Sequence, residues 1–214
     1  MSDHVWYASY GSNLSRERFM AYIEGGKAPG ASFGQVGCTD PTPPKQDRRI
    51  MILHRLFFAE ASPQWEDLGI AFIRGEQEEA AKTLGRMYLI SRDQFREVVL
   101  QENGYRRMDA EVEMDLERTV REGRSEMPEG LYGTLLFLGQ EDEHPIFTFT
   151  ASWNENQAPL NRPGPKYLRV IIRGLKETFG LSTPGVIEYL RDVPGVQGAL
   201  PEEELARIAG GAGV

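Results

Sequence analysis

The chain has 214 residues, 40% of them hydrophobic, with a formal net charge of −8. That length and apolar content suffice for one full core, so a single domain over residues 1–200 is expected, followed at 201–214 by a short helix and a disordered tail. The acid excess argues against a nucleic-acid partner, the lone Cys38 excludes an internal disulfide and a thiolate zinc site, and no apolar run approaches the roughly 20 residues of a membrane span; a cytoplasmic protein is expected.

In chain order, residues 5–10 read as a central strand. Residues 15–24 place Phe19, Met20 and Ile23 on one helical face before Gly25-Gly26 stops the run. The junction is Tyr10-Gly11-Ser12-Asn13-Leu14. A strand that turns on a glycine into a helix N-terminus presents backbone N–H groups without intrahelical partners, beside the positive end of the helix dipole. It is a receptor for a carboxylate or a developing oxyanion. Gly11 lets ligand and backbone approach closely, and Ser12 or Asn13 is free to cap the helix while the other faces a ligand. An ordinary capped turn has the same letters.

Residues 27–48 are mostly loop, with a short strand near 31–38 and then Pro41, Pro43 and Pro44. Residues 50–59 and 68–74 read as neighbouring strands joined through a Ser-Pro turn, and 83–90 follows as another. Ser91-Arg92-Asp93-Gln94 has the form of a capping box, so a helix starts there. Its apolar face, Phe95, Val98 and Val99, is continued by Glu102, seven residues after Phe95. A carboxylate partly buried in the last turn, beside the negative helix end, should have a pKa above the ordinary value of about 4.3, as a general base near neutral pH requires. The competing reading is a glutamate that frays outward or pairs with Arg106 or Arg107.

Residues 108–116 alternate, with Ala110, Val112, Met114 and Leu116 on one face and Asp109, Glu111, Glu113 and Asp115 on the other, the pattern of a half-buried antiparallel strand. Residues 131–138 and 146–150 complete about eight short strands with few helices between them. That favours an α+β fold around a closed or nearly closed, mainly antiparallel β-barrel, because closure removes exposed edges. Tyr167, Leu168, Ile171, Ile172, Leu175 and Phe179 share one face of a helix stopped by Gly180, and Pro201-Glu202-Glu203-Glu204 starts the last helix.

Other chemistries lack their parts. Gly11-Ser12 is not in a G-x-S-x-G elbow, and His4, His54 and His144 show neither triad company nor H-E-x-x-H spacing. With no P-loop or dinucleotide fingerprint either, no metal and no cofactor is expected.

The run Trp6-Tyr7-Ala8-Ser9-Tyr10-Gly11-Ser12-Asn13-Leu14 resembles the opening of the γ-glutamylcyclotransferase-like proteins, an aromatic strand followed by Y-G-S-N-L. Val99-Leu100-Gln101-Glu102-Asn103-Gly104 is similar to the family's helix that ends in an acid, and Leu68-Gly69-Ile70-Ala71 and Leu84-Gly85-Arg86-Met87-Tyr88 resemble its two strands with internal glycine. The resemblance spans residues 5–175. It departs at Asn103, where the family has Gly, in the short link from Glu102 to Tyr105, and in a long polar stretch at 151–167. There Trp153, Asn154 and Arg162 are candidates for substrate preference, and Tyr167 matches the family's pocket tyrosine or is another core aromatic.

The resemblance implies a small barrel flanked by helices and an enzyme that closes the γ-glutamyl group of a small molecule or peptide to 5-oxoproline, releasing the attached amine. Glu102 is then the general acid and base, and Tyr10, Gly11, Ser12, Asn13, Leu14 and Tyr167 bind substrate, the turn holding either the α-carboxylate or the oxyanion. The reaction suits a site without cofactor, because the substrate's own α-amine is the nucleophile. The alternative is a non-catalytic small-molecule binding protein on the same fold, since function lives in the site.

Overall fold

The structure is a computed structural model that describes residues 3–28, 31–127 and 130–211. Among these residues the chain runs β1 (His4–Ser9), α1 (Arg16–Glu24), β2 (Gln46–Ile52), β3 (Leu56–Ser62), β4 (Leu68–Ile73), β5 (Thr83–Ser91), α2 (Arg92–Glu102), α3 (Leu116–Glu122), β6 (Arg124–Glu126), β7 (Thr134–Glu141), β8 (His144–Thr150), α4 (Pro165–Phe179), α5 (Thr183–Leu190) and α6 (Glu202–Gly210). The fold is mixed α+β with a mainly antiparallel six-stranded sheet in the order β2-β5-β1-β8-β7-β6 and a separate hairpin, β3-β4. Among the described strands, only β1 and β8 pair in parallel. The apolar run 5–10 is thus the centre of the sheet, and aromatic side chains fill the space beside it: Tyr7 stacks on Phe149 at 5.3 Å and Phe19 on Tyr88 at 3.9 Å.

The sheet is not a closed barrel. Its edges are protected by charge instead, which serves the same end. On edge strand β2, Asp47 pairs with buried Arg86 at 2.8 Å and Arg48 with Glu141 at 2.7 Å; on edge strand β6, Arg124 pairs with Glu126 at 2.6 Å. The hairpin is joined to β8 by a side chain rather than a ladder. Thr150 Oγ1 donates to the Ile73 carbonyl at 2.6 Å and accepts from the Ile73 N–H at 3.2 Å.

Three sequence expectations are corrected. The strand expected over 50–59 is two strands, broken at 53–55, because β2 pairs with β5 while β3 pairs with β4. The strand expected near 31–38 is reduced to a single bridge between Gly26 and Gln35. Residues 108–115 carry no ladder at all. The inward residues Ala110, Val112 and Met114 are indeed half-buried and the acids exposed, but Arg96 of α2 takes the carbonyls of Met108, at 2.9 Å, and Ala110, so the backbone is bound by a side chain rather than by a strand. Alternation reports which side faces protein; a strand also needs a partner. The last helix extends through Gly210, and residues 212–214 of the expected disordered tail lie outside those described. No described helix is long and apolar enough to cross a membrane.

The topology also explains how distant residues meet. β5 pairs antiparallel with β1, so its end, Ser91, lies opposite His4 at the start of β1. There the capping box forms as the sequence predicts: Ser91 Oγ accepts from the Gln94 N–H at 3.1 Å, and Gln94 Oε1 from the Ser91 N–H at 3.0 Å. The helix it starts then runs back alongside β1. Eleven helical residues span about 16 Å, close to the roughly 20 Å of a six-residue strand. Both elements therefore finish at the same end of the sheet.

Candidate active site

At that end of β1, Ser12–Leu14 form a short 3-10 turn and α1 begins only at Arg16, with Ser15 in the N-cap position and no side-chain cap. Neither Ser12 nor Asn13 caps the helix. The Asn13 side chain is instead directed into the protein, where Nδ2 donates to Glu102 Oε1 at 2.8 Å and to the Tyr7 hydroxyl at 3.2 Å. The Asn13 backbone carbonyl accepts from the Tyr88 hydroxyl at 2.8 Å, which fixes the turn to the sheet. Thus 89 residues apart in sequence, the turn and the acid are in direct contact.

The other residues of the signature divide. Gly11 has φ −109°, so no left-handed backbone demands glycine; what demands it is space, because a Cβ here lies 3.1 Å from the Tyr167 hydroxyl and 3.5 Å from Ala71 Cβ. The Tyr167 hydroxyl accepts the Ala71 N–H at 3.1 Å and the Ser12 N–H. One donor of the turn is therefore turned to a tyrosine. Tyr10 lines the cavity and donates from its hydroxyl to the Phe149 carbonyl at 2.8 Å. Leu14 is not brought to the cavity; it is buried in the core, where α4 crosses the turn at Gly174.

Glu102 does not fray outward. Burial pushes its pKa up, opposed by the charge of Arg18 and by hydrogen bonds from Tyr22 and Asn13. The direction is the one predicted, but the opposing cation is not. Arg106 reaches the Gly34 carbonyl at 3.2 Å and Arg107 pairs with Asp109 at 2.7 Å, both in exposed positions, whereas Arg18 is buried on α1. Arg18 Nη2 donates to the Tyr22 hydroxyl at 3.2 Å, and that hydroxyl bonds to Glu102, so a tyrosine links cation and acid.

Two cavities, of about 30 and about 80 Å³, share Ser12, Glu102, Tyr132 and Tyr167 in their walls. The smaller one is also lined by the turn 10–13 and by Tyr7 and Phe149; the larger one by Arg18, Tyr22, Gln64 and Trp65. Glu102 sits between them. Tyr132 reaches this place because Asn103, at the C-cap of α2, holds its backbone: Asn103 Oδ1 accepts from the Tyr132 N–H at 2.9 Å and Nδ2 donates to the Tyr132 carbonyl at 3.3 Å. The asparagine after the acid therefore has a structural reason.

The stretch 151–167 contributes Tyr167 and little else. Trp153 packs on Phe72 at 4.7 Å, the Asn154 side chain closes its own turn, and Arg162 pairs with Glu204 at 3.7 Å. None of them lines either cavity. The stretch is stitched to the hairpin instead, with the Gly69 N–H on the Arg162 carbonyl at 2.9 Å; a Cβ on Gly69 falls 2.0 Å from the Asn161 carbonyl oxygen, so this strand glycine is required by contact. Cys38 donates to the Tyr22 carbonyl at 3.3 Å, and burial pushes its thiol pKa up, the opposite of an activated nucleophile. Among the described residues no three His, Cys, Asp or Glu side chains group to hold a metal.

No family model matches the sequence. Among curated proteins, histone deacetylase 5 of Arabidopsis thaliana is 34% identical over 198 residues, 87% of this chain and 30% of that protein, so the chain spans less than a third of that relative's length. Among solved structures, a gamma-glutamyl cyclotransferase is similar with a TM-score of 0.50 and 19% identity, and an uncharacterised protein from Homo sapiens with a TM-score of 0.50 and 18% identity, each over 97% of this chain and 99% of the other. The fold described above thus matches the γ-glutamyl cyclotransferase fold.

Proposed function

We propose that the chain converts a γ-glutamyl compound to 5-oxoproline and a free amine, with Glu102 as the group that takes a proton from the substrate's ammonium and returns one to the leaving nitrogen. The observation that carries this reading is the contact of Glu102 with Asn13 at 2.8 Å on the wall of a small cavity, where burial raises the pKa of the acid. The α-amine attacks the γ-carbonyl of the same residue, a five-membered lactam forms, and the attached amine leaves. Holding the glutamyl chain folded supplies much of the rate, since the nucleophile is already in the molecule. Proton transfer by one carboxyl group in sequence supplies a further 10²–10⁴-fold or so.

The pH dependence tests the role of Glu102. The base is the carboxylate, and burial disfavours it, so a more alkaline medium is needed to ionise it than for an exposed glutamate. The rate of 5-oxoproline release should rise from acid to neutral pH with a midpoint above the ordinary value of about 4.3, and this limb should vanish in Glu102→Gln. An acid limb that persists in the glutamine variant assigns the titration to another group. Gly11→Ala tests the turn. Its methyl group presses on the Tyr167 hydroxyl, and a modest overpacking of about 1 kcal/mol corresponds to a KM raised roughly 5- to 10-fold with kcat nearly kept. An unchanged KM places substrate away from the turn.

A further inference from the structure

We propose that Arg18 and Gln64 form a carboxylate-binding subsite beside Glu102. Arg18 is 2% exposed, yet its Nε and Nη1 have no hydrogen-bond partner among the described residues, and the same holds for buried Gln64 Nε2. Both side chains line the cavity of about 80 Å³ that also receives Glu102. These orphaned atoms are all donors. The guanidinium is held in place between rings, 5.0 Å from the centroid of Tyr22 and 5.6 Å from that of Trp65, and Nη2 is fixed on the Tyr22 hydroxyl. Its unpartnered N–H groups are therefore held in fixed directions.

A buried guanidinium without a bonded anion is destabilising, and a methionine would occupy the same space without that penalty. The charge of Arg18 beside Glu102 and its contacts with Tyr22 and Trp65 leave Nε and Nη1 unused. A group that only accepts and that carries one negative charge matches an unpartnered guanidinium N–H and the amide N–H beside it. A dianion is disfavoured by Glu102 next to it. The smaller cavity is lined by Asn13, whose orphaned atom is an acceptor, Oδ1, and suits an N–H group. The two sides together fit a ligand with a carboxylate and an amine or amide nitrogen flanking Glu102. This deepens the cyclotransferase reading by naming what the substrate must carry, either on its glutamyl group or on its leaving amine.

The subsite can be read without turnover by titrating the chain calorimetrically with glutaramate, which has one carboxylate and no amine to cyclise, and with glutaramide, its neutral counterpart. Glutaramate should bind at least 10-fold more tightly, and Arg18→Met should remove roughly 10- to 100-fold of its affinity while leaving glutaramide unchanged. Arg18→Lys should fall between, since it keeps the charge but not the fixed N–H directions of the planar group. The Arg18→Met chain should melt no lower than the parent. A lower melting temperature with equal loss for both probes, or no binding of glutaramate, overturns the proposal.

Turnover then locates the carboxylate. A raised KM in Arg18→Met for both γ-glutamylalanine and γ-glutamylethylamide assigns it to the glutamyl group, and a raised KM for γ-glutamylalanine alone assigns it to the leaving amino acid. Release of 5-oxoproline with KM unchanged for both overturns the subsite and keeps the cyclotransferase reading. Arg18-dependent binding of glutaramate without 5-oxoproline from either compound does the reverse.

Discussion

Replacing Glu102 with glutamine should lower turnover of a γ-glutamyl substrate by roughly 100-fold or more, with KM little changed and the melting temperature kept. Glutamine retains the length of the side chain and an oxygen that accepts from Asn13 Nδ2, the contact now made at 2.8 Å. It also accepts from Tyr22, so the chain of bonds from Arg18 through Tyr22 survives. What is lost is the ability to take a proton. A loss confined to kcat is the mark of an interaction made only in the transition state, whereas a raised KM with normal kcat marks binding alone. If the variant turns over within a few-fold of the parent, another group is the base.

The second large effect is expected at a position with no polar role. Gly174 lies in α4 where that helix crosses the 10–14 turn, and a Cβ added there falls 2.3 Å from the Leu14 carbonyl carbon and 2.4 Å from the Ser15 nitrogen. Those are backbone atoms, which cannot swing aside as a flexible side chain can. Alanine gains about 1 kcal/mol of helix propensity over glycine, but overpacking against a fixed backbone costs about 3 kcal/mol or more, so the second effect wins. Gly174→Ala should lower the melting temperature by about 5–10 °C for a chain of this size. Because the same contact seats the turn that holds Asn13, activity should fall along with stability. Differential scanning calorimetry of the purified variant measures the first, and a rate at a temperature well below its melt measures the second. A variant as stable as the parent means that α4 and the turn are not in this contact.

The elements legible in the sequence were those with local signals. The apolar run of β1, the capping box of α2 and the apolar stripe of α4 each specify themselves within a few residues, and the structure has all three. Glu102 was legible for the same reason, as a carboxylate that continues an apolar helical face. Long-range facts were not. Whether eight strands close or stay open depends on which edges pair, and charges on Asp47, Arg48, Arg124 and Glu126 protect edges that closure would otherwise remove. The alternation at 108–116 was a correct reading of burial and an incorrect reading of pairing.

The candidate site shows the same division. Arg18 sits one residue before Phe19, within the run that packs inward, and four residues before Tyr22, with which it bonds. That spacing was a signal, but a charged residue beside an apolar stripe reads equally as solvated, and only the placement of Trp65 and Glu102 around it shows otherwise. Gln64 lies in a connection with no periodicity, and Tyr132, read as part of a strand over 131–138, precedes β7, which starts at Thr134. They enter the site through contacts made by residues far along the chain, Tyr132 through Asn103 above all.

The central claim is that this cavity closes γ-glutamyl groups. Incubating the purified chain with a panel of γ-glutamyl amino acids, peptides and amines, and measuring 5-oxoproline by mass spectrometry beside the Glu102→Gln chain, tests it most directly. The account predicts 5-oxoproline and an equal amount of free amine from at least one member, at a rate that the glutamine variant lowers roughly 100-fold or more. Binding of panel members without any 5-oxoproline, or equal release by parent and variant, would contradict it.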